Sequence, residues 1–166
     1  LHSDDFFSNS KVIENIIKVF EENDTLSAVY GDCEFFSKTN TKKTIRKWQS
    51  RPFNSKLLKN GWMPPHAALY LRENVIKSVD GFDTSFKIAG DYMCILKIFS
   101  EANFKAHYIP KVLLKMRMGG ASNRSLLNIF LKTKEDWRAL RENNFSFFLS
   151  VRVILLKNLS KIVQFF

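Results

Sequence analysis

Two hydrophobic periods alternate along this chain, and that alternation constrains its fold more than any other feature. Ile13, Ile16, Ile17 and Phe20 recur at helical spacing, whereas Leu26–Tyr30 is a short apolar run of strand type. Strand-type and helix-type segments keep alternating to the end, and a layered α/β domain is the arrangement that buries both kinds of face. The spacing predicts a helix over 10–23 capped by Ser10, a strand over 26–30 ending at Gly31-Asp32, and a hairpin over 33–48 with Thr39-Asn40-Thr41 at its tip. A short helix over 53–60 is closed by Gly61. Met63-Pro64-Pro65-His66 cannot be helical, because each proline restricts the residue before it. Residues 67–71 return to extended chain, and helices follow over 72–79, ending at Asp80-Gly81, and over 89–102. Strands over 104–109 and 112–116 flank Pro110, and Gly119-Gly120 breaks the chain. A helix over 125–143 carries the stripe Leu126, Phe130, Trp137 and Leu140, and a more apolar helix spans 145–166.

The 166 residues suffice for one domain with a real core, and 45% hydrophobic against 25% charged residues is globular composition. Sixteen phenylalanines point to an aromatic-rich core or an apolar surface. Cys33 and Cys94 lie far apart and in no metal-ligand spacing, as expected of reduced thiols in a cytosolic protein. The net charge of +10 implies an anionic partner or surface without choosing among nucleic acid, phospholipid and nucleotide. Much of it lies in Lys38, Lys42, Lys43, Arg46, Lys47 and Arg51, which also suits a solvated hairpin. No zinc-finger spacing, RNA-binding sheet motif or heptad repeat accompanies it, so nucleic acid is not the expected partner.

Four constellations carry chemistry. His2-Ser3-Asp4-Asp5 follows an apolar Leu1 that reads like a strand end. Adjacent carboxylates there need a cation or donors, although a turn role is the commoner one. Pro64-Pro65 delivers His66 to a strand start, where it either meets phosphate or an acceptor hydroxyl or is simply a satisfied polar group. Asp91 opens a helix after Gly81-Phe82-Asp83, as a first-turn acid or a general base. Arg117-Met118-Gly119-Gly120-Ala121-Ser122 is a Gly-Gly turn that can close over a phosphate or serve only as a loop.

The order of these stretches is more informative than any one of them. A strand-end SDD, then MPPHAALYLRENVIKSVDGFD, then IAGDYMCILKI, then YIPKVLLKMRMGGAS resembles the family 2 glycosyltransferases of the GT-A fold, in particular bacterial enzymes that build surface polysaccharide or lipopolysaccharide. The resemblance covers roughly residues 1–123. It implies the C-terminal half of a Rossmann-like GT-A domain, with the nucleotide-binding βα units preceding Leu1, and a helical extension over 124–166. It also implies inverting transfer of a sugar from a nucleotide diphosphate sugar to a glycan or lipid-linked hydroxyl. The resemblance assigns Asp4 and Asp5 to Mn²⁺ or Mg²⁺, with His2 where the motif's first acid stands. It makes Asp91 the catalytic base, with Gly90 where a Glu often stands, and places His66, Arg117, Gly119, Gly120 and Ser122 at donor or acceptor. A non-catalytic remnant of a transferase and a basic nucleic-acid-binding module are the alternatives.

Fourteen of the 22 residues over 145–166 are apolar, and Arg152, Lys157 and Lys161 are its only charges. The stretch reads either as an amphipathic helix lying on an anionic membrane, at the inner face of the cell membrane of a cytoplasmic enzyme, or as a helix packed on the domain or a partner.

Overall fold

A computed structural model describes residues 5–37, 39, 43–117 and 126–163. They form a mixed α/β fold: a five-stranded mixed sheet with helices packed on it. The strands are β1 (Phe6–Phe7), β2 (Ala28–Phe36), β3 (Thr44–Trp48), β4 (Leu69–Leu71) and β5 (Ala106–Arg117), and the sheet order is β1-β5-β2-β3, with β4 also on β2. β2 and β5 run parallel at the centre, and the other pairings are antiparallel. Successive side chains of β2 point to opposite faces. Val29 and Cys33 join Val12 and Ile16 of α1 (Val12–Glu22) in one core. Tyr30 meets Trp62 and Phe99 on the other side, where α3 (Gly90–Phe99) is buried almost all round.

The two arms of the expected hairpin pair antiparallel, with Cys33 opposite Trp48 and Glu34 opposite Lys47, and Asn40 and Thr41 of its expected tip lie outside the described residues. Two expected breaks do not occur. Gly31-Asp32 lies inside β2, because β5 approaches so closely that a Cβ on Gly31 would stand 2.5 Å from the Leu113 side chain and 2.8 Å from the Lys111 carbonyl oxygen. Pro110 lies inside a continuous β5. Tyr30 pairs with Tyr108 and Asp32 with Val112, so the proline falls in a bulge where its missing N–H costs no ladder bond. Ser10 does not cap α1. Lys11 occupies that position, and Asn9 Oδ1 already accepts the Lys11 N–H at 2.9 Å in a local turn. Residues 66–68 form a 3₁₀ turn before the extended chain of β4.

A second 3₁₀ turn, Ser55–Asn60, ends at Gly61 with φ +73°. Here the chain touches α5 (Phe147–Val163): a Cβ on Gly61 would meet the Val153 carbonyl oxygen at 2.6 Å and the Lys157 nitrogen at 2.9 Å. The short α2 (Glu73–Ser78) ends at Asp80 and Gly81, both with positive φ. Arg72, just before α2, donates to the Phe20 and Leu26 carbonyls at 2.8 and 2.9 Å, satisfying chain ends around α1.

The last two helices share the core of α3. Ala139 and Leu140 of α4 (Leu126–Glu142), Phe145 and Val153 cluster with Met93, Leu96 and Phe99. On α4 the buried face is Asp136, Ala139 and Leu140, whereas Phe130 of the expected stripe is exposed. On α5, Ser150, Val153 and Lys157 face inward, and Phe148, Val151, Leu155 and Leu159 face out. Two basic groups of the expected membrane helix engage the protein: Lys157 is buried, and the exposed Arg152 donates to Asn60 Oδ1 at 3.0 Å. No helix among the described residues is long and apolar enough to cross a membrane.

Candidate active site

Asp91 stands in the first turn of α3, and its setting is built from three directions. Its Oδ1 accepts the Tyr92 N–H at 2.8 Å. Its Oδ2 lies 3.1 Å from His66 Nδ1. The helix N-terminus behind it adds a favourable dipole for a carboxylate. The chain entering α3 is clamped from α4: Glu135 accepts the backbone N–H groups of Lys87, Ile88 and Ala89 at 2.9, 2.8 and 2.8 Å. Burial raises the Glu135 carboxyl, but those three donors outweigh it and hold the group below the ordinary glutamate value.

His66 reaches Asp91 because the chain before it is stiff. Pro65 is extended, with φ −60° and ψ 112°, and the 3₁₀ turn over His66–Ala68 follows at once. β4 then pairs antiparallel with the first part of β2, Leu69 opposite Tyr30. His66 therefore lies toward the carboxyl half of β2, the side on which open α/β sheets bind ligands. Both partners are part-exposed, with side-chain exposures of 44% for His66 and 32% for Asp91, so the pair is accessible to a ligand.

Of the other expected site residues, Arg117 ends β5 level with Phe36 at the end of β2, and Asp5 precedes β1 on the neighbouring strand. Cys33 registers the acid: burial first and Asp5 second push its thiol up to about 12. Cys33 and Cys94 are buried free thiols, the form that is least nucleophilic. His2 and Asp4, and Gly119, Gly120 and Ser122 of the Gly-Gly turn, lie outside the described residues. Among the described residues no group of three or more His, Cys, Asp or Glu side chains could hold a metal ion.

Sequence reasoning missed the buried charge cluster behind Asp91. Asp136 of α4, 2% exposed, accepts from Lys157 Nζ at 2.8 Å and from Lys132 one turn earlier on its own helix. The Lys157 ammonium also lies over the Tyr92 ring, 2.9 Å from its centroid. Burial lowers Lys157 to about 7, against the pull of Asp136 in the other direction. Asp32 was also missed. Its Oδ1 accepts from the Tyr108 hydroxyl and the Ser50 N–H, both at 2.8 Å, which ties β2 to β5 and to the chain after β3. The signal for these residues was only that acids and a lysine occupy positions that helix or strand periodicity assigns to the interior.

Two grooves in the surface lie elsewhere. One of about 570 Å³ runs along Phe53, Leu58, Phe99, Phe104 and Phe145, and one of about 190 Å³ along Asp32, Glu34, Lys47 and Trp48; neither is lined by His66 or Asp91. The chemistry of the His66–Asp91 pair, rather than cavity size, marks the candidate site. No family model matches this chain, and no curated protein matches it in sequence.

Proposed function

We propose that this chain carries the acceptor side of an inverting family 2 glycosyltransferase with GT-A architecture, acting in surface-polysaccharide or lipopolysaccharide synthesis. Its donor is a nucleotide diphosphate sugar and its acceptor a glycan or lipid-linked hydroxyl. The observation that carries this reading is the 3.1 Å contact between His66 Nδ1 and Asp91 Oδ2. Two residues that the family resemblance assigns to the transfer site, one on a proline-stiffened turn and one at a helix start, meet in one acid–base pair. A hydroxyl attacking an anomeric carbon must lose its proton as the new bond forms, and a positioned His or Asp is the usual acceptor. The mixed sheet with its two parallel central strands suits this reading, since it leaves the pair toward their carboxyl side.

In this reading Mn²⁺ or Mg²⁺ would rest on Asp4 and Asp5. Asp5 alone offers one carboxylate where a hard divalent ion takes six or more oxygens, so the described residues do not by themselves make such a site. The proton chemistry of His66 and Asp91 stands without one.

The test is nucleotide release from a panel of UDP-, GDP- and dTDP-sugars, with and without acceptor glycan, by the full-length protein that contains this chain and by its Asp91→Asn variant. The variant should turn over roughly 10²–10⁴-fold more slowly, with donor affinity nearly unchanged. Full turnover in Asp91→Asn, or no sugar transferred from any donor by the unmodified protein, would sink the proposal.

A further inference from the structure

We infer that the outer face of α4 and α5 is a docking surface for an anionic phospholipid membrane. The inference rests on this surface alone and holds whether or not the chain transfers sugar. Both helices bury one side in the core of α3, through Ala139 and Leu140 on α4 and Val153 on α5. The opposite sides stay open. On α4, Leu127, Phe130, Lys134, Trp137 and Arg141 follow at intervals of three and four residues and so share one face. On α5, Phe148, Val151, Leu155 and Leu159 do the same, and Phe148 is 84% exposed. The two rows meet where Trp137 and Phe147 touch edge to face, with ring centroids 5.2 Å apart, and Phe147 in turn meets Phe148. An exposed apolar surface of this extent marks contact with a protein partner or a membrane.

Charge decides between those occupants. Lys134 and Arg141 lie within the α4 row, and Arg152 lies one turn after Phe148 on α5; all three are exposed. Glu142, the exposed acid of α4, is turned to Arg138, whose Nε it meets at 2.6 Å. Lys157 takes no part, because it is buried on the inner side of α5. A second copy docked about a twofold axis would set the three basic groups against their like. An anionic lipid surface attracts them, and the whole chain carries a net charge of +10. Arg152 donates to Asn60 Oδ1 and Arg141 to the Phe145 carbonyl, and each guanidinium has further N–H donors to offer a phosphate. Aromatic rings set among apolar and basic side chains suit the depth at which headgroups meet acyl chains. No helix among the described residues is long and apolar enough to cross a membrane, so the pair lies along the surface rather than through it.

The test is co-sedimentation of the full-length protein that contains this chain with two kinds of vesicle, phosphatidylcholine alone and phosphatidylcholine mixed with phosphatidylglycerol. Binding is expected on the mixed vesicles only and should weaken as salt rises. Phe148→Ser/Leu155→Ser changes exposed side chains and should lower the partition coefficient by roughly tenfold or more. Lys134→Gln/Arg152→Gln should lower it by about 30-fold, at about fivefold for each basic group. Ile17→Ser, exposed on α1 across the sheet, should leave it unchanged. Quenching of Trp137 fluorescence by brominated lipid, read as the part lost in Trp137→Phe, locates the contact without altering the rest of the face, and it decides the matter if a double variant does not fold. Absence of binding to the mixed vesicles overturns the inference. So does binding that leaves Trp137 unquenched and survives Phe148→Ser/Leu155→Ser. A concentration-dependent dimer in sedimentation velocity, lost in that variant and without vesicle binding, gives the face to a second copy and overturns the inference as well.

Discussion

Asp136→Leu is the most telling single change for stability. Asp136 is 2% exposed and answers two ammonium groups, Lys157 at 2.8 Å and Lys132 on its own helix. Its removal leaves Lys157, itself 5% exposed, as an uncompensated charge among Tyr92, Val153 and the chain at Gly61. Breaking one side of a buried pair costs about 3–5 kcal/mol, and at an m-value of about 2 kcal/mol per molar urea the midpoint drops by about 2 M. Loss of the carboxylate also removes the pull that raises Lys157, so in the variant the lysine gives up its proton more readily than in the unmodified protein, and the loss is largest at low pH, where it must hold that proton. The double variant Asp136→Leu/Lys157→Met removes both charges and should recover most of the loss, since apolar replacement of a buried pair is often neutral or stabilising.

The same lysine gives the unmodified protein a pH dependence. Its folded value of about 7 lies below the ordinary lysine value of 10.5, so between these limits the unfolded chain binds more protons. Stability therefore rises with pH across that window, by at most about 1.4 kcal/mol per unit. Lys157→Met should flatten the rise. Urea melts at pH 6 and pH 9 on the four proteins provide the whole cycle. An Asp136→Leu cost below about 1 kcal/mol at pH 6, or a double variant as unstable as the single one, refutes the assignment of a buried, mutually dependent pair.

Gly61→Ala should cost about 2 kcal/mol or more, because the residue has φ +73° and its Cβ would stand 2.6 Å from the Val153 carbonyl oxygen; thermal melts check it, and an unchanged Tm would mean that α5 does not dock there. Truncation after Asn144 should unfold the domain rather than merely release it from vesicles, because Val153 and Lys157 belong to the buried face. Circular dichroism of the truncated chain, beside co-sedimentation of the complete chain with anionic liposomes, separates the two roles. A folded truncation product that has lost salt-sensitive liposome binding would restore the basic membrane helix.

What was legible in the sequence was local. Gly61 ends a turn, Pro64-Pro65 stops a helix, and residues 33–48 make a hairpin for reasons confined to a few neighbours. His66 and Asp91 were singled out by their own surroundings, but nothing in the sequence said that they touch. Gly31 and Pro110 misled because a breaker acts on isolated chain. Between two parallel strands the ladder on either side carries the backbone through, and the irregularity shrinks to a bulge. Lys157 misled in the opposite way. On a greasy helix it counts as a surface charge, and only the Asp136 carboxylate on another helix makes its burial tolerable. Glu135, Asp136 and Lys157 act across the chain, and hydrophobic periodicity is blind to polar groups at interior positions.

These same residues bind the helical extension to the site. Glu135 and Asp136 are neighbours on α4 with different tasks: one holds the backbone of residues 87–89, and the other fixes Lys157 beneath Tyr92. Tyr92 in turn gives its N–H to Asp91. The first turn of α3 is thus gripped from before and behind by residues after 125, while His66 meets it from the other flank. The acid–base role proposed for His66 and Asp91 would need the two held within a few tenths of an ångström of their working separation, and a helix start is the least restrained part of a helix. A helix pair that owed nothing to the site would have no reason to direct three backbone bonds and a buried ammonium at one turn. Residues 126–163 are thus the support on which the position of Asp91 depends, whatever their apolar outer stripe also meets.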